Sequence, residues 1–174
     1  IESILVDACG TPEGENEMLR FKVGASALNT ANLTATWINN AYLGICQSAQ
    51  TASCVAALNA TIQHCGYIKE PVGGILPANS TVILCTSTNM NPSANSFAQL
   101  NDTIYMIFQC AGNTMGHFKN YQAGQGNKTT VISFGTCTES VTYCVDSLVT
   151  TTGIHAAQDG ATVTFTTAGA ATYS

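Results

Sequence analysis

Residues 17–23 alternate, with Leu19, Phe21 and Val23 on one face and Arg20 and Lys22 on the other. This is the period-two pattern of a strand buried on one side. Similar short apolar runs, bounded by Gly, Pro and Asn, predict strands at 2–6, 33–38, 81–87, 129–135, 140–145 and 161–167. The run 103–110 (TIYMIFQC) is apolar almost throughout, which predicts a strand covered on both faces. One segment has a different period. Val55, Leu58, Ile62 and Cys65 recur at helical spacing, with Ser53 placed as an N-cap and Gly66 as a stop. They predict an amphipathic helix over about 52–65, with Asn59 on its polar side. A shorter helical turn is expected at 93–100, with Phe97 and Leu100 facing inward. Eight or nine strands and one inserted helix, with no internal repeat or linker, predict a single mainly β domain over 1–174, a β-sandwich.

Composition narrows the setting. Lys and Arg number 5 and Asp and Glu 10, for a net charge of -5, and charged residues are only 9% of the chain while 45% is hydrophobic. The low-hydrophobicity, high-charge signature of disorder is absent. Five scattered basic residues supply no cluster for nucleic acid or an anionic membrane surface, and no apolar run has the length of a membrane span. Solubility falls instead to 24 Thr, 12 Ser and 14 Asn.

Eight cysteines stand at 9, 46, 54, 65, 85, 110, 137 and 144. None is spaced as a zinc knuckle, and His64 beside Cys65 is poorly placed for joint chelation. An even number of cysteines predicts disulfides and an oxidising compartment. Cys46 with Cys54 and Cys137 with Cys144 are the local candidates, leaving Cys9, Cys65, Cys85 and Cys110 for longer links. On this reading Ile1 is a mature N-terminus left by signal cleavage and the protein is secreted. Five Asn-x-Thr sequons, at Asn32, Asn59, Asn79, Asn101 and Asn127, agree with that compartment and predict covalent glycans. Asp102-Thr103-Ile104 and Asp146-Ser147-Leu148 also match a short O-glycosylation pattern.

Several stretches carry a family resemblance. Asn16-Glu17-Met18-Leu19-Arg20-Phe21-Lys22-Val23, followed by Asn32-Leu33-Thr34-Ala35-Thr36-Trp37, resembles the opening of a lamin-tail-like domain, whose second strand bears a core tryptophan. Gly74-Ile75-Leu76-Pro77-Ala78-Asn79-Ser80-Thr81-Val82-Ile83-Leu84 is similar to the family's Pro-Ala-Gly turn into a strand, and Asp159-Gly160-Ala161-Thr162-Val163-Thr164-Phe165 to its closing strand. The helical segment at 46–65, the eight cysteines and Asn79 in place of Gly depart from the pattern. The resemblance implies an immunoglobulin-like β-sandwich of secreted bacterial surface proteins, used in binding and assembly, with no catalytic residues to carry over.

No nucleophile motif is present: Gly24-Ala25-Ser26-Ala27 lacks the second glycine of an elbow. His64, His117 and His155 stand beside no Ser or Cys at a recognisable spacing, and His117 is expected on a surface loop. Asp7, Glu13, Glu15 and Glu17 gather four carboxylates around Cys9-Gly10-Thr11-Pro12. They are a weak calcium candidate, and a solvated turn is the simpler expectation. Tyr42, Tyr67, Tyr121, Trp37 and Tyr173 are candidate sugar-stacking rings, the basis of an alternative reading as a carbohydrate-binding or adhesin module. Trp37, on an alternating strand, is expected in the core. The leading expectation is a non-enzymatic, cofactor-free structural subunit of an extracellular filament or homopolymer. The chain opens in one strand and stops just after another, and terminal strands pair readily with a neighbour's edge.

Overall fold

Alternation along the strands sorts apolar residues into two cores. The protein, seen in a computed structural model that describes residues 1–150 and 152–174, is built around one large sheet. Its strands are β1 (Ser3–Leu5), β2 (Met18–Lys22), β5 (Ile45–Cys46), β6 (Tyr67–Lys69), β8 (Thr81–Cys85), β9 (Thr103–Gln109), β12 (Thr162–Phe165) and β13 (Ala171–Tyr173). They run in the order β13-β12-β1-β2-β8-β9-β5, with β6 also on β9. A second sheet, β11 (Cys137–Cys144), β10 (Asn127–Phe134) and β4 (Leu33–Thr36), lies in the order β11-β10-β4. The pair β3 (Leu28–Asn29) and β7 (Ile75–Leu76) forms a third, two-stranded sheet.

Leu19, Phe21, Val82, Leu84, Ile107 and Val163 from the large sheet meet Leu33, Ile132, Val141 and Tyr143 from the second in one buried cluster. That is the expected sandwich, and Trp37 is in its core at 5% exposed. The neighbouring positions Met18, Ile83, Cys85, Ile104, Met106 and Phe108 face the other way, onto Cys54, Val55 and Leu58 of α1 (Ala49–Asn59), the one α-helix among the described residues. The run 103–110 is therefore apolar because β9 feeds both cores.

Departures from the sequence pattern have local causes. α1 spans Ala49–Asn59 and begins after Ser48, not Ser53. The Thr51 hydroxyl accepts from the Ser48 N–H at 2.9 Å and donates to the Ser48 carbonyl at 2.9 Å, which closes the first turn. At the other end Asn59 clasps Ile68, donating to its carbonyl at 2.7 Å and accepting from its N–H at 2.8 Å. This turns the chain into β6. Ile62 still packs on the second core, from outside the helix. The turn expected at 93–100 contracts to one 3-10 turn, Pro92–Ala94, with Phe97 and Leu100 half-buried beyond it. β8 and β9 are parallel, so residues 86–102 must cross back over the sheet, and they do so beside α1. The turn before β8 places Asn79 at φ 60°, a left-handed conformation that Gly or Asn tolerates.

Candidate assembly interface

The edges of the two sheets are set by hydrogen-bond register. β11 pairs only with β10, and Val145 N–H donates to the Gly126 carbonyl at 2.9 Å. In an antiparallel ladder this alternation makes Lys128–Tyr143, Thr130–Val141 and Ile132–Glu139 the mutually bonded pairs. The N–H and C=O groups of Thr138, Ser140, Thr142 and Cys144 then point outward. Cys144 N–H confirms the phase, because it donates outward to Tyr173 Oη at 2.9 Å. The backbone groups of Thr138, Ser140 and Thr142 have no partner among the described residues.

On the other sheet Thr162 and Ser174 exchange hydrogen bonds of 2.6 and 3.0 Å. By the same alternation Ala171 and Tyr173 turn their backbone groups away from β12. The Tyr173–Cys144 bond places both edges on one flank of the sandwich. A groove of about 580 Å3 opens beside β11, lined by Ile1, Glu2, Lys22, Glu139, Phe165 and the 166–169 turn. β11 and β13 contain no Lys, Arg or Pro, residues that commonly blunt an edge. Their one charged residue, Glu139, pairs with the Ile1 α-amino group. The opposite flank ends in β4, β5 and β6, and the Cys46–Cys110 disulfide fastens β5 there.

The opening strand does not share this property. β1 is paired with β12 on one side and β2 on the other, and the closing strand expected at 161–167 is β12, itself held between β1 and β13.

The carboxylates are arranged for packing, one by one. Glu15 accepts from Asn89 Nδ2 at 2.8 Å, and Glu13 from Asn120 Nδ2 at 2.9 Å. Glu17 is fully buried and accepts from His117 N–H at 2.6 Å and Phe118 N–H at 3.2 Å. Asp7 is also buried, and burial together with the Glu13 and Asp159 carboxylates pushes it up to about 6. Among the described residues no three His, Cys, Asp or Glu side chains are placed to hold a metal ion. The calcium candidate Asp7, Glu13, Glu15 and Glu17 is therefore not a joint site; Asp7, Glu15 and Glu17 are buried, while Cys9 and Thr11 of the turn are exposed as expected.

His117 is likewise not on the surface: it is 0% exposed. Its Nε2 faces two amide nitrogens, Gln109 Nε2 at 3.0 Å and Asn113 Nδ2 at 3.4 Å. An amide NH2 only donates, so Nε2 accepts, and the ring proton sits on Nδ1, 3.2 Å from Glu17 Oε2. Gln109 Oε1 completes the chain by accepting from Trp37 Nε1 at 2.8 Å. Burial pushes Glu17 up, to about 7, against the pull of His117 and Phe118. The network fixes the 113–118 loop to β2 and β9. Gly14 lies against that loop, where a Cβ would meet the Met115 carbonyl at 2.0 Å. Glu17, Gln109 and His117 are fully buried, and Asn113 is half-buried.

The disulfide pairings differ from the local candidates. Cys46 bonds Cys110, across β5 and the end of β9, and not Cys54. Cys137 and Cys144 are the two ends of β11, seven residues and about 23 Å apart, which excludes a bond within one chain. Cys9, Cys54, Cys65, Cys85, Cys137 and Cys144 are free thiols in this structure. Four sequon asparagines, Asn32, Asn79, Asn101 and Asn127, are exposed, whereas Asn59 is half-buried. Of the candidate stacking rings, Tyr67 is the exposed one, at 55%. Trp37 and Tyr42 pack edge to face, Tyr121 stacks on His155 at 6.2 Å, and Tyr173 is committed to Cys144.

The chain matches no family model, no curated protein and no solved structure.

Proposed function

We propose that this protein is a secreted, non-enzymatic structural subunit of an extracellular filament or surface assembly, joined to its neighbours strand edge to strand edge. The observation that carries the reading is the flank formed by β11 and β13. It offers outward backbone groups at Thr138, Ser140, Thr142, Ala171 and Tyr173, with no basic or proline residue on either strand. Such an edge is a template for a further strand. Two edges on one flank let both layers of a sandwich extend together. The strands at the opposite flank give a head-to-tail contact something to meet, and a heterologous contact that does not close makes a filament.

The reading moves the edge role from the expected opening and closing strands to β11 and β13. The low charge supports it too, because copies with 9% charged residues repel one another weakly across a shared edge. Eight cysteines and five sequons support secretion and glycosylation, and the lamin-tail-like resemblance supports a surface-module origin.

Electron microscopy of concentrated protein tests the proposal together with a Ser140→Pro variant. Proline there removes an outward N–H and leaves the β10–β11 ladder intact. Filaments or regular oligomers from the parent chain, absent from Ser140→Pro, are the expected result. Separate globules from both, at millimolar concentration, would sink the idea.

A further inference from the structure

Cys54 and Cys85 are the two buried free thiols of the molecule, at 6% and 0% exposed. Both belong to the core between α1 and the large sheet. Cys54 enters from the helix and Cys85 from β8, and they meet the same residue, Met90: Cys54 Sγ lies 3.9 Å from its carbonyl oxygen and Cys85 Sγ 3.4 Å from its Sδ. Each thiol is pushed up by burial, Cys54 also by the Glu70 carboxylate and Cys85 also by Cys54. Besides Cys54 to Met90, the polar bonds from α1 to the rest are Gln50 to Thr88 and Asn89, and Asn59 to Ile68.

We propose that Cys54 and Cys85 form a second disulfide, fastening α1 to β8 behind the sheet while Cys46–Cys110 fastens β5 at its edge. The oxidant is a small-molecule or protein disulfide. The Cys54 thiolate attacks one sulfur of it and releases a thiol. The Cys85 thiolate then attacks Cys54 Sγ in the mixed disulfide and releases the second thiol. Two electrons pass to the oxidant, and the two cysteine protons end on the released thiols. Exchange needs a thiolate, and the closed core disfavours one at both positions. The bond is therefore made while α1 is still off the sheet, during folding.

This inference does not depend on filament formation, since a monomer would carry the bond equally. The test refolds the full chain in reduced and oxidised glutathione, alkylates it after denaturation, and maps peptides by mass spectrometry. A peptide pair joining Cys54 to Cys85, about 2 Da below the sum of its reduced parts, is expected. Its thermal midpoint should lie about 5–10 °C above that of the Cys54→Ala/Cys85→Ala double variant. Both cysteines recovered alkylated after full oxidation, or Cys54 joined to a different cysteine, would overturn the proposal. If the variant fails to fold, the peptide map of the parent chain alone decides.

Discussion

At the scale of single residues, polar groups placed in the interior carry specific roles, and Asn59 is the plainest. Its side chain holds both backbone groups of Ile68, a residue with 0% exposure. Asn59→Ala leaves a buried N–H and C=O without partners and should cost about 2–3 kcal/mol in chemical denaturation. For the same reason Asn59 is expected to be bare when the glycans are mapped by mass spectrometry, while the four exposed sequons are available. The sequence pattern could place Asn59 on the polar side of a helix, but not reveal that β6 passes beside it.

Asp7 gives a pH signature. Its folded value of about 6 lies above the ordinary 3.8, so the fold binds that proton more tightly than the unfolded chain does. The stabilisation is complete below about pH 4 and is lost as pH rises through 6. Glu17, raised to about 7, acts in the same direction. Asp7→Asn should therefore flatten the profile between pH 4 and 7 and gain about 2 kcal/mol at pH 7.5. A decline equally steep in the variant would contradict this placement of the carboxyl. These interior groups were illegible beforehand because a Glu or His in a turn-rich stretch is ordinarily solvated. Burial here comes from the 113–118 loop folding back across a hundred residues of chain.

At the scale of elements, all eight strands marked by apolar patterning are present, each shortened or shifted at its ends by a few residues. β3, β5, β6, β7 and β13 were not marked, because two or three residues are too few to show a period. They exist through tertiary pairing, as β5 does through Cys46–Cys110 and the Cys110 N–H bond to the Gly44 carbonyl at 2.9 Å. α1 was legible as a helix from Val55 and Leu58. Its ends were not, since Ser48 with Thr51 and Ser53 offer competing starts and only the fully buried Thr51 distinguishes them. Thr51→Ala should destabilise the protein by about 1–2 kcal/mol, read from the urea midpoint. Thr51→Ser should recover most of that loss by keeping the hydroxyl at the Ser48 N–H.

At the scale of the molecule, the sandwich places two free edges on one flank and a disulfide-fastened edge on the other. Composition signalled an uncharged surface, and apolar patterning signalled β1 and β11 as strands. Neither could show that β1 would be enclosed, or that β11 would lie beside β13. The register of β11 decides which of its groups face outward, and a one-residue slip would reverse the set. Amide hydrogen exchange of Thr138, Ser140 and Thr142 in dilute and concentrated protein reads that register and the proposed contact together. The account predicts fast exchange at these three amides in the monomer and slow exchange on assembly, with Val141 and Tyr143 slow in both. Equal rates at Thr138, Ser140 and Thr142 in monomer and assembled particles would contradict it.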